Sequence, residues 1–311
     1  MRFGHYTDIH LSGKTPRHRV DDYPSAIVAK VAETYQKAEE LGCEFLTFGG
    51  DFCKTHRIFS YNVMGDIMDI ICDSKLKTYA CIGEHDLYGH SPSTYSSSTL
   101  AFIDRRCSNL MILHDPIELP GGVILHAKHE WEDMNEAIAR PVDKSKLNIL
   151  ICHELITNES APFDVIDTAT LTPCNFDLVC SGDLHTGYEP HDVDGTWFCN
   201  PGAMARENIG RDADRSPQFA VIDVEKGDIP VIQYRKIECA KPGTEVFGES
   251  IAEIARAREE FDGDGFAEEM LDLEAESVDV HELIQTVGKA NGIRKPVLDY
   301  LATKRDGGND E

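Results

Sequence analysis

Five short apolar runs in this chain each finish on a carboxylate or an imidazole, and that recurrence constrains the fold more than any other feature of the sequence. The five places are Asp8-Ile9-His10, Gly50-Asp51, Gly83-Glu84-His85-Asp86, His153-Glu154 and Gly182-Asp183-Leu184-His185. Taken singly each is weak, since Asp-x-His arises by chance and Gly-Asp commonly starts a turn. Taken together and in order, they describe strand ends that deliver polar groups to one place. In an extended segment residues i and i+2 project to the same side. Asp8 with His10, and Asp183 with His185, are therefore expected to form two pincers on one cation. Asp51 follows two glycines that let the backbone turn closely. A carboxylate with two oxygens can bridge two metal ions about 3.5 to 4 Å apart, which makes Asp51 the expected central ligand.

The organisation along the chain agrees with such a site. Arg2 to Asp8 alternates as a short strand. Tyr23 to Leu41 has helical spacing, with Ile27, Val31, Tyr35, Ala38 and Leu41 along one side and Gly42 as the stop. Glu44 to Phe48 and Lys77 to Ile82 read as further strands, separated by a helical set from Tyr61 to Cys72. Short apolar runs then follow in quick succession at 110–113, 123–125, 147–151, 178–180, 196–199, 219–222 and 230–234, with one helical interruption near Trp131 to Ala139. So many strands predict two packed sheets flanked by helices. The loop from Gly89 to Ser98 is rich in Ser, Pro and Tyr and is expected at a site rim, with Tyr88, His90 and Tyr95 as lining candidates.

Charge and cysteine usage narrow the function classes. With 55 acidic against 30 basic residues the formal charge is -25, which excludes a bare basic nucleic-acid-binding module. No run reaches the eighteen apolar residues of a membrane span, so a membrane protein is excluded. The ten cysteines form no CxxC pair and are expected as small buried hydrophobes of a reduced compartment. The amino terminus has the pattern of neither an export nor an import leader, and the expected location is the cytoplasm. From about residue 241 the chain is proportionally more acidic, and apolar residues recur within segments such as 249–261 and 280–287, which predicts a small helical module.

The ordered set Asp8-x-His10, Gly50-Asp51, Gly83-x-His85-Asp86, His153 and Gly182-x-x-His185 resembles the calcineurin-like metallophosphoesterase superfamily. Within it the chain is most similar to the SbcD-type nucleases of bacteria and phages and to the nuclease of the double-strand-break repair complex. Leu11 directly after the first motif and Asn200-Pro201-Gly202-Ala203-Met204-Ala205-Arg206 after the last carry that finer resemblance. It implies an α/β fold, a four-layer α-β-β-α sandwich over residues 1–240, with a helical capping or partner-docking segment at 241–311. It implies two divalent cations, Mn2+ first and Mg2+ second. Asp8, His10, Asp51 and His185 would hold one; Asp51, Glu84, His153 and Asp183 would hold the other.

By the same resemblance His85 would stabilise the phosphate or protonate the leaving oxygen, oriented by Asp86. The implied activity is hydrolysis of DNA by metal-activated water, 3′ to 5′ on duplex with single-strand endonuclease activity, in end processing and repair. The implied partners are DNA, an SbcC-like SMC/ABC ATPase and a second copy of the chain. Lys14, Arg17, Arg19, Lys54, Arg57 and Arg206 are the candidate DNA contacts, and Leu283, Ile284, Val287, Val297, Leu298, Tyr300 and Leu301 the candidate docking face.

Three departures from the family pattern stand out. Glu84 replaces Asn, Asp183 replaces His, and Lys54 stands where the nucleases usually have His. The first two add negative charge beside Asp51, which is costly without cations. Two other readings follow: a phosphoesterase acting on nucleotides or phosphoproteins, and a metal-stabilised scaffold of weakened activity.

Overall fold

Alternation along the central strands decides which way each side chain faces, and hence how the layers stack. In β7 (Leu147–Glu154), Ile149 and Ile151 enter the core between two sheets, while Leu150 and Cys152 enter a separate core on the outer face. In β13 (Gln218–Asp223), Ala220 and Ile222 face the same inter-sheet core, and Phe219 and Val221 face outward under the helices. A strand that is apolar on both faces can only be buried on both. The computed structural model describes residues 1–247 apart from 59, 160, 162, 209–211, 213 and 214.

The first sheet runs β14 (Val231–Lys236), β13, β1 (Arg2–Tyr6), β2 (Leu46–Phe48), β3 (Thr78–Ala80) and β4 (Leu110–Ile112). The second runs β11 (Tyr188–Val193), β12 (Thr196–Asn200), β10 (Leu178–Asp183), β7, β6 (Val123–Lys128) and β5 (Ile117–Leu119). A two-stranded ribbon, β8 (Ile156–Thr157) with β9 (Ile166–Asp167), stands apart. Stacked rings such as Phe3 on Phe45, 4.9 Å apart, fill the space between the large sheets. Each such side chain removed from water contributes about 1.5–3 kcal/mol.

Helices cover both outer faces and complete four layers. α1 (Tyr23–Glu40) starts where the Asp22 carboxylate accepts the Ser25 N–H at 3.2 Å. It ends at Gly42, whose φ of 75° is a left-handed turn. α1, α2 (Tyr61–Asp73) and α3 (Thr99–Asp104) pack on the first sheet through Ile27, Val31, Ile67, Ile71, Leu100 and Ile103. The second sheet is covered more thinly, by α4 (Met134–Ile138), whose Met134 and Ile138 rest on Leu150 and Val179.

Two expectations are revised and one falls outside the described residues. Cys72 and Cys107 are joined in a disulfide, so the cysteines are not all free thiols. Six of the rest are buried as expected, but Cys239 is exposed. The body continues past residue 240: α5 (Gly243–Phe247) buries Val246 and Phe247, and the Val246 carbonyl accepts the Val20 N–H at 2.9 Å. The docking face and helices expected from 248 onward lie outside the described residues. No helix among the described residues is long and apolar enough to cross a membrane.

Candidate metal centre

β1, β2 and β3 are parallel, as are β6, β7, β10 and β12, so the carboxyl ends of both sheets open on one edge of the sandwich. Ligands in such sheets collect outside the carboxyl ends of the strands. Asp8 and His10 follow β1, Asp51 follows β2, and the 3-10 turn Glu84–Asp86 follows β3. His153 closes β7, Asp183 closes β10, and His185 comes two residues later. The two sheets are tied at this edge by polar bonds: His153 Nδ1 donates to the Gly49 carbonyl at 2.7 Å, and the Asp183 N–H donates to Asp8 Oδ2 at 3.1 Å.

The route by which the ligands converge differs from strand alternation. Asp8, His10, Asp51 and Asp183 have φ of 50°, 42°, 55° and 73°, all left-handed. Such backbone costs non-glycine residues on the order of 1–3 kcal/mol and collects at functional sites. The loops are zipped in these shapes: Asp8 N–H to the Gly50 carbonyl at 3.1 Å, His10 N–H to Asp51 at 3.1 Å and Leu11 N–H to Phe52 at 2.8 Å. The expected Asp183 and His185 pincer does not form, because Asp183 faces His153 at 4.0 Å whereas His185 faces Asp8 at 3.6 Å.

Two overlapping clusters result. His10 Nε2 lies 3.7 Å from Asp8 Oδ1 and 3.1 Å from His185 Nε2. Asp51 Oδ2 lies 3.7 Å from His10 Nε2, 3.4 Å from His153 Nε2 and 3.9 Å from His85 Nε2. Asp8, Asp51 and His153 also lie close enough to share one ion, so Asp8 as well as Asp51 belongs to both groups.

These residues fit divalent metal. With Nδ1 committed to the Gly49 carbonyl, His153 Nε2 faces the Asp51 carboxylate. Against the cost of burial, the carboxylates of Asp51, Asp8 and Asp183 raise the His153 pKa well above 6.5, an attraction for positive charge at Nε2 that a metal ion would satisfy. His153 Nε2 and Asp8 Oδ1 are both buried without a hydrogen-bond partner. Imidazoles and carboxylates gathered in a buried pocket, with ligand atoms left without a hydrogen-bond partner, fit a bound cation.

Electrostatics divide the carboxylates. Burial pushes Asp8 and Asp51 up, but the surrounding imidazoles outweigh it and hold Asp8 well below, and Asp51 below, the usual carboxylate range. Asp183 is pushed up to about 7 by burial and by the nearby charges of Asp8, Asp51 and Glu84, against the pull of His153. The excess negative charge expected from Asp183 is therefore felt in the pocket itself. Burial lowers His85 despite the attraction of Asp51, which favours its neutral ring.

Two candidates sit elsewhere than expected. Glu84 turns to the rim, with Oε1 3.4 Å from His85 Nε2 and Oε2 3.9 Å from His90 Nδ1, and it groups with His90 and Glu130. Asp86 does not orient the His85 ring. Its buried carboxylate accepts the N–H groups of Cys53 at 3.0 Å, Gly83 at 3.2 Å and Phe52 at 3.3 Å, joining the Asp51 loop to the Glu84 turn.

The basic candidates divide in the same way. Lys14, Arg17 and Arg57 are exposed, although Arg57 donates to the Ser97 carbonyl at 3.0 Å. Lys54 pairs with Glu207 at 2.5 Å. Arg19 and Arg206 are buried and are removed from the DNA-contact set: Arg19 grips Asp21 and the Arg206 carbonyl, and Arg206 reaches the carbonyls of Arg215 and Lys241. Among the aromatics Tyr88 is 67% exposed, while Tyr95 anchors its loop through Asp104.

Sequence reasoning missed several supports. Thr7 Oγ1 donates to Asp8 Oδ2 at 2.6 Å, Lys128 Nζ reaches the His153 carbonyl at 3.1 Å, and Asn200 holds the Gly182 and Leu184 carbonyls at 3.4 and 3.2 Å. The available signal was a lysine inside an apolar run, Val123–Lys128.

A sandwich of two sheets with imidazoles and carboxylates gathered at their shared carboxyl edge defines a metal-dependent phosphoesterase, a hydrolase. Residues 1–227 match the calcineurin-like phosphoesterase superfamily domain, and the chain belongs to that superfamily. Among solved structures the chain is similar to TT1561 of Thermus thermophilus, with 11% identity and a TM-score of 0.50 over 76% of this chain and 99% of that one. It is also similar to a dimetal phosphatase from Danio rerio, with 9% identity and a TM-score of 0.50 over 76% and 96% of the two chains. At these identities the likeness is one of fold. No curated protein matches the sequence.

Proposed function

We propose that the chain is a DNA nuclease of the SbcD type, a Mn2+-dependent phosphodiesterase that trims duplex ends 3′ to 5′ and nicks single strands during end repair in the cytoplasm. The observation that carries the reading is the position of His85. Its ring reaches within 3.9 Å of Asp51 Oδ2 and stays 37% exposed, so it stands where a phosphate held by the cluster meets solvent. Two divalent ions held by Asp8, His10, Asp51, His153, Asp183 and His185 would lower the pKa of a water and neutralise phosphate charge. The chain's own groups do the rest. Asp51 accepts the His85 N–H at 2.9 Å, which fixes the turn. The His85 ring is then aimed to donate to a phosphate oxygen or to give a proton to the departing one.

Support for DNA over a smaller ester comes from the exposed Lys14 and Arg17 on the loop after the first ligand pair, and from exposed Tyr88, a surface on which a base can stack. The net charge of -25 disfavours unaided binding to DNA, which is why an SbcC-like ATPase and a second copy of the chain belong to the proposal.

The test is cleavage of duplex and single-stranded DNA across Mn2+, Mg2+ and Zn2+, with His85→Ala as comparison. Nucleotide release with Mn2+, abolished in a variant that still binds metal, is the expected result. Equal rates in the two proteins would remove His85 from the reaction. A second reading has its own observation: Glu84 and Glu130 flank His90 on the rim beside His85, a poor surface for a polyanion. Turnover of a small phosphodiester or a nucleotide, with no cleavage of DNA, selects that reading.

A further inference from the structure

The segment Ala203–Arg206 after β12 has no regular secondary structure, yet each of its residues is buried. Its amides face the metal centre: Ala203 donates to the His185 carbonyl at 3.0 Å, Met204 to Thr7 at 3.0 Å and Ala205 to Asp8 at 2.9 Å. Its carbonyls face the other way, toward cations. The Arg215 guanidinium reaches the carbonyls of Ala203 and Ala205, Lys30 Nζ reaches Met204 at 2.8 Å, and Arg19 Nη1 reaches Arg206 at 2.7 Å. The segment is thus held on one side by the side-chain N–H donors of Arg215, Lys30 and Arg19 and on the other holds the backbone of two candidate ligands.

Arg19 and Arg215 have carboxylates of their own, in Asp21 and Asp212. Lys30 does not. It is 1% exposed, sits in the buried stripe of α1 with Ile27, Val31 and Thr34, and among the described residues its Nζ makes one hydrogen bond, to Met204, and no ion pair. Burial, and after it the charges of Arg206, Arg19 and Arg215, hold its pKa well below the usual lysine range. A buried polar nitrogen without a carboxylate weakens a fold compared with an apolar side chain of the same length. Stability of α1 therefore favours methionine at this position, and the lysine needs another account. An N–H donor at a carbonyl oxygen polarises the peptide group and strengthens donation from amides in the same hydrogen-bonded chain.

We infer that Lys30, together with Arg215 and Arg19, is a positioning group for the metal centre: it clamps the carbonyl side of Ala203–Arg206 so that the amide side fixes Asp8 and His185. The inference rests on reading Asp8, His10 and His185 as metal ligands, and groups behind a metal ligand commonly govern affinity as much as geometry.

The test uses the metal-stripped full chain, wild type and Lys30→Met. Mn2+ alone is titrated calorimetrically, and thermal unfolding of the stripped proteins is followed separately. Lys30→Met is expected to bind Mn2+ about 10- to 100-fold more weakly, while its stripped form melts at the same or a higher temperature. Affinity within about two-fold of wild type overturns the inference, and so does a loss of affinity that comes with a lower melting temperature, because general loosening would give both. Absence of Mn2+ uptake by wild type overturns the metal reading and the inference with it, whereas equal uptake by both proteins overturns the inference alone. Should Lys30→Met fail to fold, amide hydrogen exchange in stripped wild type decides. The Met204 and Ala205 amides are expected to exchange as slowly as those of β10, and rapid exchange there refutes the clamp.

Discussion

Gly50 is the position where one methyl group tests the metal centre most directly. Its φ is 95°, and a Cβ built there would lie 2.6 Å from His153 Nδ1 and 2.8 Å from its Cγ. Ordinary contact begins near 3.4 Å, so Gly50→Ala requires the imidazole or the loop to give by about 0.8 Å. The ring cannot yield freely, because Nδ1 is bound to the Gly49 carbonyl at 2.7 Å and Nε2 faces Asp51 at 3.4 Å. Left-handed backbone costs an alanine about 1–2 kcal/mol, and overpacking adds about 1–3 kcal/mol.

Gly42 supplies the control, since its φ is 75° and a Cβ there meets nothing within 4 Å. Gly42→Ala should lose only the backbone part, about 2–8 °C in Tm at the scale of a domain this size, with unchanged turnover. Gly50→Ala should lose more stability and, with a ligand displaced by nearly 1 Å, about 100-fold in kcat/KM. The assay is Mn2+-dependent hydrolysis of bis-p-nitrophenyl phosphate, with melting curves for each protein. If both variants lose the same stability and neither loses turnover, the close fit of Gly50 against His153 plays no part in the site.

Other perturbations probe other parts of the argument. Saturating Mn2+, at about one hundred times Kd, should stabilise the stripped chain by about 2.7 kcal/mol, and an unchanged Tm would count against any metal centre. Burial lowers His5 from 6.5 to about 4 although the Ser181 carbonyl opposes it. The unfolded chain therefore binds a proton that the folded one refuses. Stability is full above about pH 6.5 and falls by about 3 kcal/mol as the pH drops to about 4. Urea midpoints between these limits should change less in His5→Asn, and an identical slope would refute the assignment. Lys14→Ala with Arg17→Ala should reduce the salt dependence of DNA binding by about two phosphate contacts without moving Tm. Arg19→Ala and Arg206→Ala should instead lower Tm, and unchanged melting would return both to the DNA-binding surface.

Much of this fold was legible because its central strands are apolar on both faces and run straight into their ligands. β7 and β10 are near-continuous apolar runs, and the acid or imidazole after each is where the parallel strand must stop. Of the strands missed, β5 and β11 are the two edges of the second sheet, and β8 and β9 form the separate two-residue ribbon. β11 contains Pro190 and alternates Glu, His and Asp with few apolar residues, because an edge needs neither every N–H nor a second buried face. The ligand set was visible as residue types, but the geometry was not. Left-handed backbone at Asp8, His10 and Asp51 leaves no periodic trace. Asp86 was read as a partner of the neighbouring imidazole because it is adjacent in sequence, when its partners are amides as much as 34 residues away. Likewise Arg19 and Arg206 count as available cations until burial shows that carbonyls and Asp21 already occupy them.

The placement of β1 sets an order of events during synthesis. β1 lies between β2 and β13, pairing Arg2 with Asp223 and Phe3 with Ile222. Asp8, on the loop that β1 feeds, is held in turn by Ala205. A nascent chain that has emerged as far as His185 has made all the candidate ligands but neither the strand nor the segment that flanks the first of them. Closing so long a loop is slow for any chain. The centre is therefore expected to be complete only after β13 has been made and has paired with β1, and binding of Mn2+ by a chain stalled before Gln218, as tight as by the full chain, would refute that order.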